Sequence, residues 1–392
     1  MPRFRDALAR PGLGAIAEVK RRSPSAGDLR PDADPAQLAA QFAAAGASAV
    51  SVLVDERFAG TVDDLRAARA ATDVPLLGKG FFSTEDHLRE LREAGADAVL
   101  LILRDLDDGT CARLLSHAGE LGMDALVEAH DADELQRALA LDAPVIGVNA
   151  RDLNTFEIDR RAQLGLVARA HVSAELGDRV VIAESGVHTR AQGAAAELAG
   201  ADAILVGSAL MQAADPQAKL RELLSRPLVK VCGLTRQGDV DVAVEAGADL
   251  VGFIHVEASP RRSDVVLDVP ETALAVSVFV EETHETSADL VQFYPDRGGG
   301  VRGREAMLLR DAVEVARVLD QPWQERDALH WTRAAAAEGR VMLAGGLGPE
   351  NVRDAIAAVR PWAVDASSSL EREAGVKDHD RVRAYVEAAR DS

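Results

Sequence analysis

Ionisable, amide and hydroxyl side chains close most of the short apolar runs in the first half of this sequence. Glu18 and Lys20 end AIAEVK, Lys79 ends VPLLGK, Glu128 stands in DALVEAH, Asn149 in VIGVNA, Glu184 and Ser185 in VVIAES, and Gly207 with Ser208 in AILVGS. A charge at the end of a buried run is costly unless it is paired or does chemistry. Two lysines and three carboxylates gathered in one place tune one another's proton affinities and can supply an acid and a base near neutral pH. Salt bridging that merely closes the top of a structure explains any one of these residues more easily than it explains the set. In the second half, Cys232 closes VKVC and Asp320 closes VLD. A thiol and a carboxylic acid are the minimum pair for moving a proton between carbon and oxygen, one base and one acid. The plainer alternative makes Cys232 a small apolar filler and Asp320 a helix cap.

For these residues to meet, the runs must lie side by side with one polarity. In the first half, segments 15–20, 49–54, 74–79, 98–103, 124–130, 145–150, 180–185 and 203–208 are β-branched or leucine-rich, and alanine-rich stretches of helical length separate them. Continuous apolar strands are buried on both faces, and even spacing with a helix in each crossover predicts a parallel sheet closed as a (β/α)8 barrel. An open doubly wound sheet gives similar runs, but eight evenly spaced units favour closure. The C-terminal ends of barrel strands form the active face of that fold, which is where the residues named above fall. There the loops ESGVHTR and VGSALM, after the seventh and eighth strands, would present backbone N–H groups to a phosphate.

The helical pattern stops at Pro227 and a new strand follows, so the chain divides near Arg226 into domains 1–226 and 227–392. The second domain again offers eight runs: 228–233, 250–255, 275–280, 290–294, 306–311, 314–320, 341–346 and 363–368. Runs five and six lie too close for a parallel crossover, which needs a dozen or more residues. Either one of them is helix or the barrel is abbreviated. The fold expected is therefore α/β, two tandem (β/α)8 TIM barrels, the second abbreviated.

Composition narrows the function. The 392 residues carry 64 acidic against 44 basic side chains, a formal charge of −20, with no basic stripe interleaved with aromatics, which argues against a nucleic-acid partner. Two distant cysteines, Cys111 and Cys232, form neither a disulfide framework nor a zinc cluster. The start of the chain has no apolar signal region and no segment approaches about eighteen apolar residues, so a membrane span is not expected and the cytoplasm is. The histidines are scattered and no GxGxxG follows a strand, so neither metal nor nucleotide cofactor is expected.

The segments IAEVKRRSPSAG (16–27), SVLVDERFAG (51–60), ADAVLLI (96–102), LGMDALVEAH (121–130), VIGVNARDLNTF (145–156), IAESGV (182–187) and ILVGSALM (204–211) stand in the order and at the spacing of the motifs of indole-3-glycerol phosphate synthase. Residues 13–216 resemble that family. The resemblance implies cofactor-free, decarboxylating ring closure of 1-(2-carboxyphenylamino)-1-deoxyribulose 5-phosphate to indole-3-glycerol phosphate, carbon dioxide and water. It implies Lys79 as general acid, Glu128 in proton transfer during dehydration, and Glu18, Lys20 and Asn149 orienting and polarising the substrate. Ser23, Gly186, Gly207 and Ser208 would line phosphate or carboxylate contacts, Arg151, Glu184 and Ser185 complete the mouth, and Phe81 adds a substrate contact. Two departures stand out. Lys79-Gly80-Phe81 replaces the family's KDF, removing an aspartate that would steady the lysine, and the chain begins just before the first strand, without most of the helical segment that usually covers the pocket.

In the second domain KVCGLT (230–235), GADLVGFIHVEASPR (247–261), VSVFVEE (276–282), LAGGLGPENV (343–352) and the stretch from VRPWAVDASSS to HDRV (359–382) resemble phosphoribosylanthranilate isomerase. That family makes the substrate of the first domain by an Amadori rearrangement, so the resemblance implies a fused bifunctional enzyme of tryptophan biosynthesis acting on small phosphorylated anthranilate derivatives, here expected as a monomer. Cys232 would be the general base and Asp320 the general acid; Arg261 would hold the anthranilate carboxylate. Gly345, Gly346 and the turn of Asp365, Ser367 and Ser368 would cradle the phosphate. Departures are heavier here. VQFYPD stands where the family has VQLHG, so Tyr294 replaces a histidine; QPWQERDALHW replaces a glycine-rich loop after Asp320; and SSS at 367–369 replaces SSG. Two other readings stay open: activity in the first barrel alone, and a non-catalytic phosphometabolite-binding scaffold, against which the retained acid–base residues speak.

Overall fold

Strands buried on both faces need a partner on each side, and the eight runs of the first half find them by closing on themselves. The computed structural model describes residues 3–152, 155–172, 179–295, 305–321 and 329–392. Two units emerge, Met1–His188 with Gly193–Leu224, and Thr189–Gln192 with Ser225–Ser392. In the first, strands β1 (Gly14–Val19), β2 (Ala49–Leu53), β3 (Leu76–Lys79), β4 (Ala98–Ile102), β5 (Asp124–Ala129), β6 (Val145–Asn149), β7 (Val180–Glu184) and β8 (Ala203–Val206) form a closed barrel in sequence order. Every neighbouring pair is parallel.

Alternation along each strand sorts the apolar residues into two layers. Ile16, Ala49, Leu77, Leu100, Leu126, Ile182 and Leu205 fill the barrel. Val50, Val99, Val127 and Val148 face outward and pack with helix residues such as Leu38, Leu65, Leu88, Leu114 and Leu135. Asp34, Thr84, Asp107 and Asp131 each begin a helix by accepting backbone N–H bonds at its open end. The helix Arg3–Leu8 plugs the floor. Phe4 and Leu8 join the interior layer, and the Arg5 backbone N–H donates to Asp124 at the start of β5. This leaves the opposite end, where the polar residues gather, open.

The second unit also closes with eight strands in sequence order: β9 (Leu228–Cys232), β10 (Leu250–Ile254), β11 (Leu274–Val280), β12 (Leu290–Tyr294), β13 (Glu305–Arg310), β14 (Val313–Leu319), β15 (Val341–Leu343) and β16 (Ala363–Ala366). The two crowded runs are both strands. Strand β13 runs antiparallel to β12 and to β14, while the remaining pairs are parallel. A hairpin thus replaces one strand–helix–strand unit, which is how the chain closes the barrel with too few residues for a crossover. Among the described residues the helices of this unit are Gln237–Glu245, His330–Ala335, Val352–Val359 and His379–Arg390, fewer than one per strand, so the barrel is abbreviated in its outer layer. Residues 322–328, most of the segment replacing the glycine-rich loop, lie outside the described residues. No described helix is long and apolar enough to cross a membrane.

The hairpin turns on Asp311 and Ala312, with φ of 48° and 64°. A two-residue hairpin loop with both φ positive is the type I′ arrangement, which matches strand twist and favours glycine at its second position. Alanine there bears a left-handed penalty of about 1 kcal/mol. Ala312→Gly is expected to stabilise the second unit by about 0.5 kcal/mol after the extra freedom of unfolded glycine is deducted. All three tryptophans, Trp323, Trp331 and Trp362, lie in that unit, so urea unfolding followed by their fluorescence reads it directly. A lower midpoint in the variant would contradict the turn assignment.

Candidate active sites

At the open end of the first barrel, the inward positions two residues apart on β1 and its continuation, Glu18 and Lys20, meet Lys79 from the end of β3. Lys20 Nζ lies 2.7 Å from Glu18 Oε1, and Lys79 Nζ lies 3.4 Å from Glu18 Oε2. Lys79 also donates to Glu184 Oε2 at 2.7 Å. The aspartate missing after Lys79 is therefore not needed to hold its charge. A side chain at Gly80 would begin 2.8 Å from the Phe82 ring, so that ring would have to move to admit one. Gly147 has a related role on β6: a Cβ there would fall 2.1 Å from Glu184 Oε1, so its absence lets the Glu184 carboxyl stand inside the barrel.

The electrostatics divide the carboxyls. Burial pushes Glu184 above the carboxylate range, the Lys79 ammonium pulls it back only in part, and the charge of Glu128 adds to the rise. Burial also works to raise Glu128, but His130 and Lys79 outweigh it and hold Glu128 below its ordinary value. Glu18 falls as well, burial being outweighed by Lys20 and Lys79. Lys79 loses solvation, yet Glu184, Glu18 and Glu128 more than compensate and raise its proton affinity further. The arrangement sets an ammonium and a carboxyl of raised proton affinity beside two carboxylates, an acid–base set in one cavity.

That cavity encloses about 930 Å3 of non-atom space, the open solvent at its mouth included. Glu18, Lys20, Ser23, Lys79, Phe81, Glu128, Asn149, Arg151, Ser185, Gly186, Gly207 and Ser208 all line it. Glu184 lies beneath, fully buried, and reaches the cavity through Lys79. Asn149 Oδ1 accepts the Arg151 backbone N–H at 3.0 Å, and Arg151 donates to Phe156 O at 3.0 Å. Ser185 and Gly186 have φ of 71° and 72°, which turns the chain sharply at the end of β7. Sequence reasoning passed over Phe58, Ser25, His188 and Phe156, which also line the cavity. Phe58 stacks on Phe81 with centroids 6.4 Å apart, and Arg57 covers Phe81 at 3.6 Å, making an aromatic wall. Its signal was present in DERFAG, whose phenylalanine sits just past a strand end.

His130 was also passed over. Its Nδ1 lies 2.9 Å from Glu134 Oε2, and its Nε2 stands 3.2 Å from Glu128 Oε1, in ion-pair contact without the alignment of a hydrogen bond. Burial opposes its charge, but Glu128 and Glu134 prevail and push it up to about 10. A raised histidine stabilises the fold fully below its unfolded value near 6.5, and that contribution is lost as pH rises through about 10. His130→Gln is therefore expected to lose a protection that wild type shows at pH 6.5 and sheds by pH 10. Hydrogen exchange of the 124–134 segment, compared between the two proteins at each pH, reads this. A constant difference across the window would show that the imidazole is not charged in the folded state.

In the second barrel Cys232 ends β9 and Asp320 follows β14, both buried. Lys230, two residues before Cys232 on the inward face, donates to Asp365 Oδ2 and to Gln292 Oε1, each at 2.8 Å. Burial lowers its proton affinity, but Asp365 and then Cys232 raise it more. The Tyr294 hydroxyl donates to Asp320 Oδ2 at 2.8 Å. Gly345 and Gly346 have φ of 92° and 68°, and a Cβ on Gly345 would strike the Gln321 backbone at 2.3 Å. The Ser367 hydroxyl is buried with no hydrogen-bond partner among the described residues, and Ser368 opens a short 3-10 turn. The guanidinium of Arg261, expected to face a substrate carboxylate, is forked onto Glu371, at 2.9 and 3.0 Å from Nε and 2.8 Å from Nη2. Lys377 grips the same carboxylate at 2.9 Å. Arg261 thus meets the chemical group it was assigned, supplied by the protein itself.

Residues 2–223 match the family model described as indole-3-glycerol phosphate synthase, and residues 323–388 match that of N-(5'phosphoribosyl)anthranilate (PRA) isomerase. An indole-3-glycerol phosphate synthase of Nocardioides sp. is 47% identical over 226 residues, covering 57% of this chain and 83% of that protein. One of Mycobacterium ulcerans is 47% identical, covering 56% and 79%. A multifunctional tryptophan biosynthesis protein of Schizosaccharomyces pombe is 32% identical in an alignment covering 99% of this chain and 61% of that protein.

Proposed function

The chain belongs to the indole-3-glycerol phosphate synthase family, and we propose that it catalyses two consecutive steps of tryptophan biosynthesis. The second barrel isomerises N-(5-phosphoribosyl)anthranilate to 1-(2-carboxyphenylamino)-1-deoxyribulose 5-phosphate. The first barrel closes that product to indole-3-glycerol phosphate with loss of carbon dioxide and water. The observation that carries the reading is the Lys79 ammonium between Glu184 and Glu18 in a cavity with an aromatic wall.

In the first reaction Cys232 removes the ribose C2 proton while Asp320 protonates the ring oxygen as the C–O bond opens; the enolamine then tautomerises to the ketone. In the second, the anthranilate ring lies against Phe58 and Phe81, and the phosphate takes the backbone N–H groups around Gly186, Gly207 and Ser208. As the ring carbon attacks the ketone, its oxygen becomes an alkoxide. That transient base is strong enough to draw a proton from a lysine whose proton affinity is raised. Carbon dioxide leaves, the hydroxyl takes a proton from one of the two lysines of the cavity to depart as water, and Glu128 accepts the proton lost from the adjacent carbon. Glu18, Lys20 and Asn149 orient the chain of the sugar, and Arg151 with Ser23 and Ser185 completes the mouth. The reading takes the single chain as the working unit and the cytoplasm as its compartment; sedimentation of the purified protein tests the first of these.

The deciding experiment is a fluorescence assay on the purified chain, supplied separately with freshly generated phosphoribosylanthranilate and with the carboxyphenylamino deoxyribulose phosphate. Turnover of both supports the two-step reading. Turnover of the second alone confines catalysis to the first barrel, and turnover of neither defeats it.

A further inference from the structure

The interior of the second barrel holds a polar chain where an apolar filling is usual. Asp365 on β16, Lys230 on β9, Gln292 and Tyr294 on β12, and Asp320 after β14 are all buried, and Lys230, Gln292 and Tyr294 are fully so. Lys230 Nζ donates to Asp365 Oδ2 and to Gln292 Oε1, Gln292 Nε2 donates to Tyr294 Oη at 2.7 Å, and Tyr294 Oη donates to Asp320 Oδ2.

The direction of this chain is forced from one end. An ammonium has only donors, so it must take the carbonyl oxygen of Gln292 and leave the NH2 pointing onward. The tyrosine hydroxyl accepts from that NH2 and has one proton to give, which goes to Asp320. Oδ2 of Asp320 is therefore an acceptor in this arrangement, and a transferable proton on that carboxyl belongs on Oδ1. Once the proton has been given away, the carboxylate left behind retains a charge-assisted bond from the tyrosine.

We propose that Tyr294 is a positioning residue for the isomerase step, holding Asp320 by Oδ2 so that its proton is presented on Oδ1. The inference rests on the isomerase reading of the second barrel and on Asp320 as its acid. It also gives a use to a departure from the family pattern, since tyrosine here stands in the place of a histidine.

Tyr294→Phe removes the hydroxyl and keeps the ring. With phosphoribosylanthranilate as substrate, kcat is expected to fall about ten- to hundredfold, the range for loss of a hydrogen bond to a charged group, while KM stays within about twofold. Tyr294→His, which again offers an acceptor to Gln292 and a donor to Asp320, is expected to restore most of the lost kcat. Ring closure of the carboxyphenylamino substrate by the first barrel and the urea midpoint of tryptophan fluorescence are followed in both variants. An unchanged kcat in Tyr294→Phe overturns the proposal, as does a loss confined to KM. A loss of kcat that the histidine variant fails to restore in a folded protein equally overturns it, because packing rather than hydrogen bonding would then be at fault. Should wild type leave phosphoribosylanthranilate untouched while closing the ring of the second substrate, the isomerase reading itself fails, a result distinct from all of these.

Discussion

Lys79→Met is expected to lower the rate of indole-3-glycerol phosphate formation about 10^3-fold, in the middle of the range for loss of a general acid, with phosphoribosylanthranilate turnover unchanged. Methionine fills the same space without a proton to give. The effect is large because Lys20, the other ammonium among the described residues of the cavity, is paired with Glu18 Oε1, while Lys79 addresses Oε2 and Glu184. Removing the ammonium also leaves Glu184 and Glu18 buried without their shared cation, a change that costs a few kcal/mol if both stay charged. Glu184 already sits above the carboxylate range, so it takes up a proton and the barrel survives with reduced stability. The lost activity is then separable from unfolding by hydrogen exchange of the first barrel's strands. A variant that closes the ring within about threefold of wild type would remove Lys79 from the mechanism.

Cys232→Ala is expected to have the reciprocal effect: a fall of about 10^3-fold in phosphoribosylanthranilate turnover, with ring closure of the preformed intermediate at the wild-type rate. Alanine removes one heavy atom from a residue at 4% exposure, so the cost in packing is about 1 kcal/mol and the barrel remains folded. The sulfur lies against Gly252, at 2.7 Å from where a side chain there would start, and beside Lys230. That lysine is held in place by Asp365 and Gln292. Retained isomerase activity in the alanine variant would return Cys232 to the status of a core filler.

Together these two variants partition one chain into two activities, and the pattern to be seen is a double dissociation. Loss of both activities in either variant would instead mark a general failure of folding.

The sequence alone determined where the strands lie, which residues stand at their ends and which of those share a face. Strand periodicity is local, so Glu18 with Lys20 and Lys230 with Cys232 are recognisably two apart on one face, and the eight runs of each half all became strands. Which residues meet across the barrel was decided only by the tertiary structure. Lys79 and Glu184 are 105 residues apart, and their contact depends on the stagger of closure and on the space left by Gly147. The same applies to Arg261, whose fork finds Glu371 110 residues on, and to Tyr294, which finds Asp320 across a hairpin. That hairpin was itself hidden, because the crowding of two runs says that one of them is helix or that the barrel is abbreviated, and not that a strand reverses. Its type I′ turn carries alanine where glycine would have signalled it. Local patterning fixes the face a side chain occupies, while its partner on that face follows from how the whole sheet closes.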